Sequence, residues 1–288
     1  MISSRTRVLL DRYALASKAL SRLSGERLAK EAGQSVEFYD FRPYQPGDEL
    51  RYVDWKVYAR TNRLYTRLYQ AERNIALYIV LDTSLSMNLG SKQVFAKVLA
   101  NLLGYVAQRD SVSQVFLLDG SSNRPMQGRA SIAQTWKFID DAPDLKETVG
   151  VVESLKDFSL KSTFKAGAGL ALVISDLFDE ASLHTALTSI KSRGLDASFL
   201  HVMAESDLNP EEVQLELEDV ESNEKLLVGP DEVRAYKRAV TDFLEKTRRT
   251  ILRAGFRYAL LKVPAIAPEE VEQHAFKELL KAGILIKR

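Results

Sequence analysis

The chain has 288 residues, 45% hydrophobic and 27% charged, a globular composition that excludes a disordered chain. Lys and Arg number 40 against 39 Asp and Glu, for a net charge of +1. That balance removes the electrostatic case for a dedicated nucleic-acid binder. The absence of Cys excludes disulfide scaffolds, Cys-ligated zinc, iron–sulfur clusters and thiol catalysis.

In chain order, residues 6–31 read as a helix, with Val8, Leu9, Tyr13, Leu15 and Leu20 at roughly helical spacing and Gly33 as its stop. The stretch 34–73 is rich in Tyr and Arg. Pro43, Pro46 and Gly47 mark a turn, ELRYVDWKVYAR reads as a short helix with Asp48 as N-cap, and RLYTRLYQA alternates as a strand with one wet face. From residue 75 strands and helices alternate. IALYIVL is a continuous apolar run, as in a strand buried on both faces. The helix over 91–108 follows with Ser91 as N-cap, then strand 111–119, helix 130–141, strand 169–175, helix 180–193 and strand 195–204. Residues 213–228 read as a hairpin around Ser222-Asn223. A long helix runs from Pro230 to Gly255, followed by strand 257–264 and a last helix beginning at Pro268. The fold class is α/β with a mainly parallel central sheet covered on both faces, preceded by an N-terminal α/β segment. The domains are 1–73 and 74–288. No run reaches the roughly 18 apolar residues that span a bilayer, and the first residues lack the apolar core of a secretory signal. The expectation is a soluble, cytoplasmic protein with no membrane span.

The chemistry concentrates in YIVLDTSLSMNLG, where an apolar strand ends in Asp82, followed by Ser84 and Ser86. Ligands of open α/β sheets bind beyond the carboxyl ends of the strands. One carboxylate and two hydroxyls at alternating positions suit a hard cation such as Mg²⁺ or Mn²⁺. The strand GLALVIS ends in Asp176 in the same way. Two carboxylates brought together without a cation repel, and one has a raised pKa. Asp, Ser and Thr after a strand are also ordinary turn and cap residues, and both readings stay open on the residues alone.

Asp82-Thr83-Ser84-Leu85-Ser86 resembles the first motif of the von Willebrand factor A fold, where it forms the metal-ion-dependent adhesion site. EFYDFRPYQPGDELRYVDWK (37–56), Ala59-Arg60-Thr61 and the strand into Asp82 resemble the domain-of-unknown-function family DUF58. The resemblance implies a Rossmann-like A-type domain from residue 74 onward. It implies a non-enzymatic protein–protein interaction module, partner or adaptor of a MoxR-type AAA+ ATPase. It also implies a Mg²⁺ or Mn²⁺ ion on Asp82, Ser84, Ser86 and Asp176, with an open position for a partner carboxylate. The A fold usually adds a Thr, often after Gly-Arg; here Gly128-Arg129 is followed by Ala130, and only Ser131 could supply that hydroxyl. The second motif reads Ser-Asp-Leu where the fold more often has Asp-Gly.

Other features carry less. Gly167-Ala168-Gly169 precedes a strand and reads as a turn, and neither GxxxxGK[ST] nor GxSxG occurs. His201 falls mid-strand, while His184 and His274 fall on amphipathic helices. Tyr, Trp and Arg dominate binding hot spots, so Arg42, Tyr44, Trp55 and Arg60 form a candidate docking surface. A metal-independent scaffold and a Mg²⁺-dependent phosphoryl hydrolase are the alternatives; no residue clearly fills the hydrolase's general-base role.

Overall fold

The computed structural model describes residues 2–16, 38–69, 76–143, 150–161, 169–179, 181–210, 215–218 and 225–288. Its contacts divide the chain into two compact units. One joins Met1–Ser17 to Ile75–Arg288, and the other is Lys18–Asn74.

The larger unit is built on five parallel strands: β4 (Ala76–Leu81), β5 (Val112–Leu117), β6 (Gly169–Ser175), β7 (Leu195–Ala204) and β10 (Arg257–Val263). Their order is β10-β7-β6-β4-β5. Every residue of β4 and β6 is buried, because helices cover both faces, and this is why those runs lack alternation. On one face lie α3 (Lys92–Asp110), α4 (Ile132–Asp140) and α9 (Pro268–Lys281). On the other lie α5 (Val151–Lys161), α6 (Leu183–Ser192) and α8 (Pro230–Arg253). Tyr78, Phe116 and Phe158 meet edge to face there, with centroids 5.1–5.9 Å apart. The hairpin expected over 213–228 is present as β8 (Leu215–Glu218) against β9 (Lys225–Val228). The chain leaves β4 toward β5, then returns to place β6 on β4's other side. The carboxyl ends of β4 and β6 therefore flank the sheet's topological switch point, where such folds place ligands.

The first residues depart from expectation. The helix α1 stops at Ser4–Leu10, and Asp11-Arg12 turn the chain into β1 (Tyr13–Leu15). This strand pairs antiparallel with β11 (Leu285–Lys287), a pairing with no signal in 285–287 alone. Ser3 caps α1 and also donates to Glu272 on α9 (2.6 Å), while Tyr105 donates to Asp11 (3.0 Å). This segment thus belongs with the sheet unit, not with the Tyr/Arg-rich segment that it precedes. Residues 17–31 of the expected helix lie outside the described residues.

In the smaller unit, β2 (Phe38–Pro43) pairs antiparallel with β3 (Tyr65–Tyr69). A 3₁₀ turn (Leu50–Tyr52) and α2 (Trp55–Thr61) lie between them. Asp54, not Asp48, is the N-cap of α2, accepting from the N–H groups of Lys56 (2.9 Å) and Val57 (3.0 Å). Asp48 instead accepts from Arg42 (2.5 Å), the Gln45 N–H (3.0 Å) and the Thr66 hydroxyl (3.1 Å), which ties the turn to β3. Among the described residues, no helix is long and apolar enough to cross a membrane.

Candidate functional site

Asp82 follows β4 directly and is 1% exposed. Its Oδ1 accepts from the Ser84 N–H (2.8 Å) and its Oδ2 from the Ser175 hydroxyl (2.5 Å). The Ser84 and Ser86 hydroxyls lie 3.1 Å apart, so the alternating spacing does bring them together. Asp176, at the end of β6, is fully buried. Burial and then the neighbouring Asp176 charge push the Asp82 carboxyl up to about 6. This is the repulsion expected of two strand-end carboxylates.

Asp176 does not share a partner with Asp82. Its Oδ2 accepts from the ammonium of Lys92 (2.9 Å), the first residue of α3. Lys92 Nζ also lies 3.0 Å from Asp207 on α7 (Glu205–Leu208), the short helix that follows β7. The Lys92 side chain is 2% exposed, and the Phe178 ring covers it with its centroid 5.7 Å from Nζ. Burial alone would depress the Lys92 pKa, but the charges and hydrogen bonds of Asp176 and Asp207 outweigh it and hold the group above its ordinary value. The segments after β6 and β7 thus each bring a carboxylate to one ammonium, and Asp82, after β4, stands within the field of Asp176.

The backbone is bent to make this possible. Leu177, directly after Asp176, has φ +56° and donates its N–H to Ser175 Oγ (2.8 Å). This is the conformation that glycine adopts freely and a leucine adopts at a cost. The chain therefore takes a glycine-like turn where the sequence reads Asp-Leu, with the Leu177 side chain buried as an anchor. Gly90 (φ +58°) lets the loop before α3 lie on β7. A Cβ there would stand 2.4 Å from the Ala204 Cβ. Ser91, with φ +61°, makes no side-chain cap to α3, contrary to the sequence expectation.

His201 stands beside Ser175 on the neighbouring strand, and its Nδ1 lies 3.0 Å from the Tyr258 hydroxyl. Burial holds this histidine down at about 4, so it is neutral near pH 7. The Thr83 hydroxyl has no partner among the described residues. The rim of the cluster is apolar and open: Phe178 (41% exposed), stacked on Phe243, Tyr236 (43%) and Leu89 (45%).

Ser131 is not in this site. Residues 122–126 run back along β5, with Ser122 bridged to Phe116 and Met126 to Ser113. The Gly128 N–H then bonds the Gln108 carbonyl near the far end of α3. Ser131 donates to the carbonyls of Gln127 (3.0 Å) and Gly128 (2.9 Å). With a rise of about 1.5 Å per residue along α3, that places it roughly 24 Å from Lys92. The return of the chain to the amino edge of the sheet defeats the one-residue shift that its use as a ligand requires.

The residues present do not fit the cation set the motif implies. A site for Mg²⁺ or Mn²⁺ is built from hard oxygens with open positions for water. Here Asp176 is already neutralised by an ammonium, Ser131 is at the other edge, and Asp82 and two hydroxyls remain. Among the described residues no group of three His, Asp or Glu gathers as a metal ligand set. A separate cleft of about 470 Å³ at the end of β5 is lined by Asp119, Glu153, Asp157 and Lys161, and none of the cluster residues line it.

In the smaller unit, Trp55 is 55% exposed and meets Tyr58 edge to face (6.1 Å). Arg60 is exposed, its Nε donating to the Lys56 carbonyl, and Tyr44 is half-buried. Arg42 is committed to Asp48. Sequence reasoning missed Lys92, Asp207, Ser175, Phe178 and Tyr236. One signal was available. A lysine opening a helix opposes the helix dipole, and such a residue needs a compensating carboxylate.

Uncharacterized proteins of Mycobacterium tuberculosis and Mycobacterium bovis are 34% identical over 102 residues, an alignment that takes in 35% of this chain and 30% of theirs. The pilus adhesin SpaC of Lactobacillus rhamnosus GG, in its open conformation, superposes with a TM-score of 0.40 at 10% identity, over 75% of this chain and 31% of the adhesin. The family model described as "Protein of unknown function DUF58" matches residues 40–250. That span takes in the paired strands of the smaller unit and the Asp82–Lys92–Asp176 cluster alike, and the chain belongs to the DUF58 family.

Proposed function

We propose that this chain is a non-enzymatic protein–protein interaction module with a von Willebrand factor A-like domain, acting as partner or adaptor of a MoxR-type AAA+ ATPase. The ATPase comes from the family resemblance in residues 37–82. The A-type reading is supported by Asp82, Ser84 and Ser86 at the switch point between β4 and β6. The observation that carries the interaction reading is the pairing of a closed charge cluster with an open apolar rim. Asp82 accepts from Ser84 and Ser175 through its two oxygens, and Asp176 is held by Lys92, so both carboxylates have structural partners. Around them Leu89, Phe178 and Tyr236 present apolar surface. Exposed aromatic side chains are the residue type that anchors binding hot spots, and Phe178 and Tyr236 supply them here.

The test is affinity for the ATPase, measured by biolayer interferometry for wild type, Phe178→Ala and Tyr236→Ala. A loss of about tenfold or more in either variant, with the fold intact by circular dichroism, supports the reading. Unchanged affinity in both moves the docking surface to the second candidate, Trp55 with Tyr58, which the exposure of Trp55 favours.

A further inference from the structure

We propose that Lys92 is the resident cation of this site: its ammonium holds Asp176, the second carboxylate that the Asp-x-Ser-x-Ser arrangement would otherwise share with a divalent ion, and it makes the carboxyl edge of the sheet independent of metal. The inference rests on the position of one nitrogen and stands whether or not an ATPase binds this face.

Lys92 reaches Asp176 at 2.9 Å and Asp207 at 3.0 Å, carboxylates from two different strand ends. An ammonium has three donors and a charge that it keeps at neutral pH when so paired. Its side chain is almost wholly buried. A buried lysine is tolerated only when paired, and this one also sits at the positive end of α3, where the helix dipole opposes it. Two carboxylates offset both penalties. A bound divalent ion in such a fold would bridge the loops after neighbouring strands. Lys92 bridges them from the start of α3: one end is fixed covalently in the chain, and the ammonium holds β6 through its ion pair with Asp176 and β7 through that with Asp207. Such a tie differs from a metal in two ways. It cannot dissociate, and it offers no coordination position to an acidic residue of a partner. Recognition on this face then falls to the apolar rim, whose Phe178 ring lies over the ammonium.

Thermal unfolding of the full chain in chelator and in millimolar MgCl₂ or MnCl₂ tests this, for wild type, Lys92→Ala and Lys92→Ala/Asp176→Asn. Wild type is expected to unfold at the same temperature in all three buffers, within about 1 °C. Lys92→Ala, left with unpaired buried carboxylates, should unfold about 10 °C lower in chelator. Millimolar metal should restore roughly 5–10 °C by occupying the vacated place. The double variant should lose that restoration. A metal-dependent rise of several degrees in wild type would overturn the proposal, as would a Lys92→Ala destabilisation that neither metal relieves. Should Lys92→Ala fail to fold, titration of wild type with Mn²⁺, followed by the electron paramagnetic resonance of the free ion, decides the matter. Absence of a bound class up to millimolar metal supports a resident ammonium, and a saturable site that Asp82→Ala removes contradicts it.

Discussion

Asp54 and Asp176 each meet one basic side chain at 2.8–2.9 Å, yet the two pairs do different things. Asp54 caps α2 with two backbone bonds and meets Arg67, whose side chain is 37% exposed. Burial pushes the Asp54 carboxyl up, but the hydrogen bonds from Val57, Arg67 and Lys56 outweigh it and hold it below its ordinary range. Asp176 has a single backbone donor, Phe178, at 3.3 Å, and its cation is buried with it. Where water and local amides share the task, an aspartate is part of a turn. Where one distant lysine carries it, the aspartate belongs to a site. The difference teaches that carboxylates in a family-specific motif are sorted by what neutralises them, not by their spacing.

The comparison breaks most sharply at the two cations. Lys92→Met should cost about 3–5 kcal/mol, because it leaves buried carboxylates without their partner. Arg67→Met should cost within about 1 kcal/mol, because its pair is partly wet. Chemical denaturation of both variants checks this, and equal losses would erase the distinction.

A second test uses pH. Asp82, held up at about 6, favours its neutral form in the folded state, so its contribution is complete below the ordinary value of 3.8 and is lost as pH rises toward 6. His201, held down at about 4 from 6.5, does the opposite: its contribution is complete above 6.5 and is lost as pH falls through 4. Each is worth roughly 3 kcal/mol at 1.36 kcal/mol per unit, with opposite sign. Wild-type stability should therefore change little between pH 4 and 6. Asp82→Asn should expose a loss toward acid, and His201→Gln a gain toward acid. Parallel pH curves for the three proteins would contradict the assignment.

Smaller still is the cap. Asp54→Ala should destabilise α2 by about 1 kcal/mol, seen as faster amide exchange in residues 55–61 with β4 and β6 unaffected. Least of all, Trp55→Ala should shift stability by no more than about 0.5 kcal/mol, since its ring is mostly in water. An effect above 1 kcal/mol in melting analysis would mean the ring is part of a packed core.

Much of the sheet was legible because buried parallel strands announce themselves as unbroken apolar runs. IALYIVL and GLALVIS each end where an Asp follows, so Asp82 and Asp176 could be placed at one edge from sequence. The convergence of Ser84 and Ser86 followed from their spacing. What escaped depends on contacts far apart in the chain. The Lys92–Asp176 pair spans 84 residues and has no local signature beyond a lysine at the wrong end of a helix. The β1–β11 pairing joins the two ends of the described chain, and three-residue strands carry no periodicity. Ser131 was misplaced because nothing in 118–128 signals that the chain doubles back along β5. Asp48 reads as the cap in sequence because it precedes the run ELRYVDWKVYAR, and only the 3₁₀ turn over Leu50–Tyr52 leaves Asp54 to open the helix.

The most direct test of the central claim is a double-mutant cycle on Lys92 and Asp176. Unfolding free energies would be measured for Lys92→Met, Asp176→Asn and the pair together. The account predicts strong non-additivity: Lys92→Met strands the buried Asp176 charge, the double change removes that charge and leaves only the partly exposed Asp207 without its cation, and the coupling reaches about 2–3 kcal/mol. Additivity within about 0.5 kcal/mol would mean that Lys92 and Asp176 are independent, and that the ammonium does not hold this edge of the sheet together.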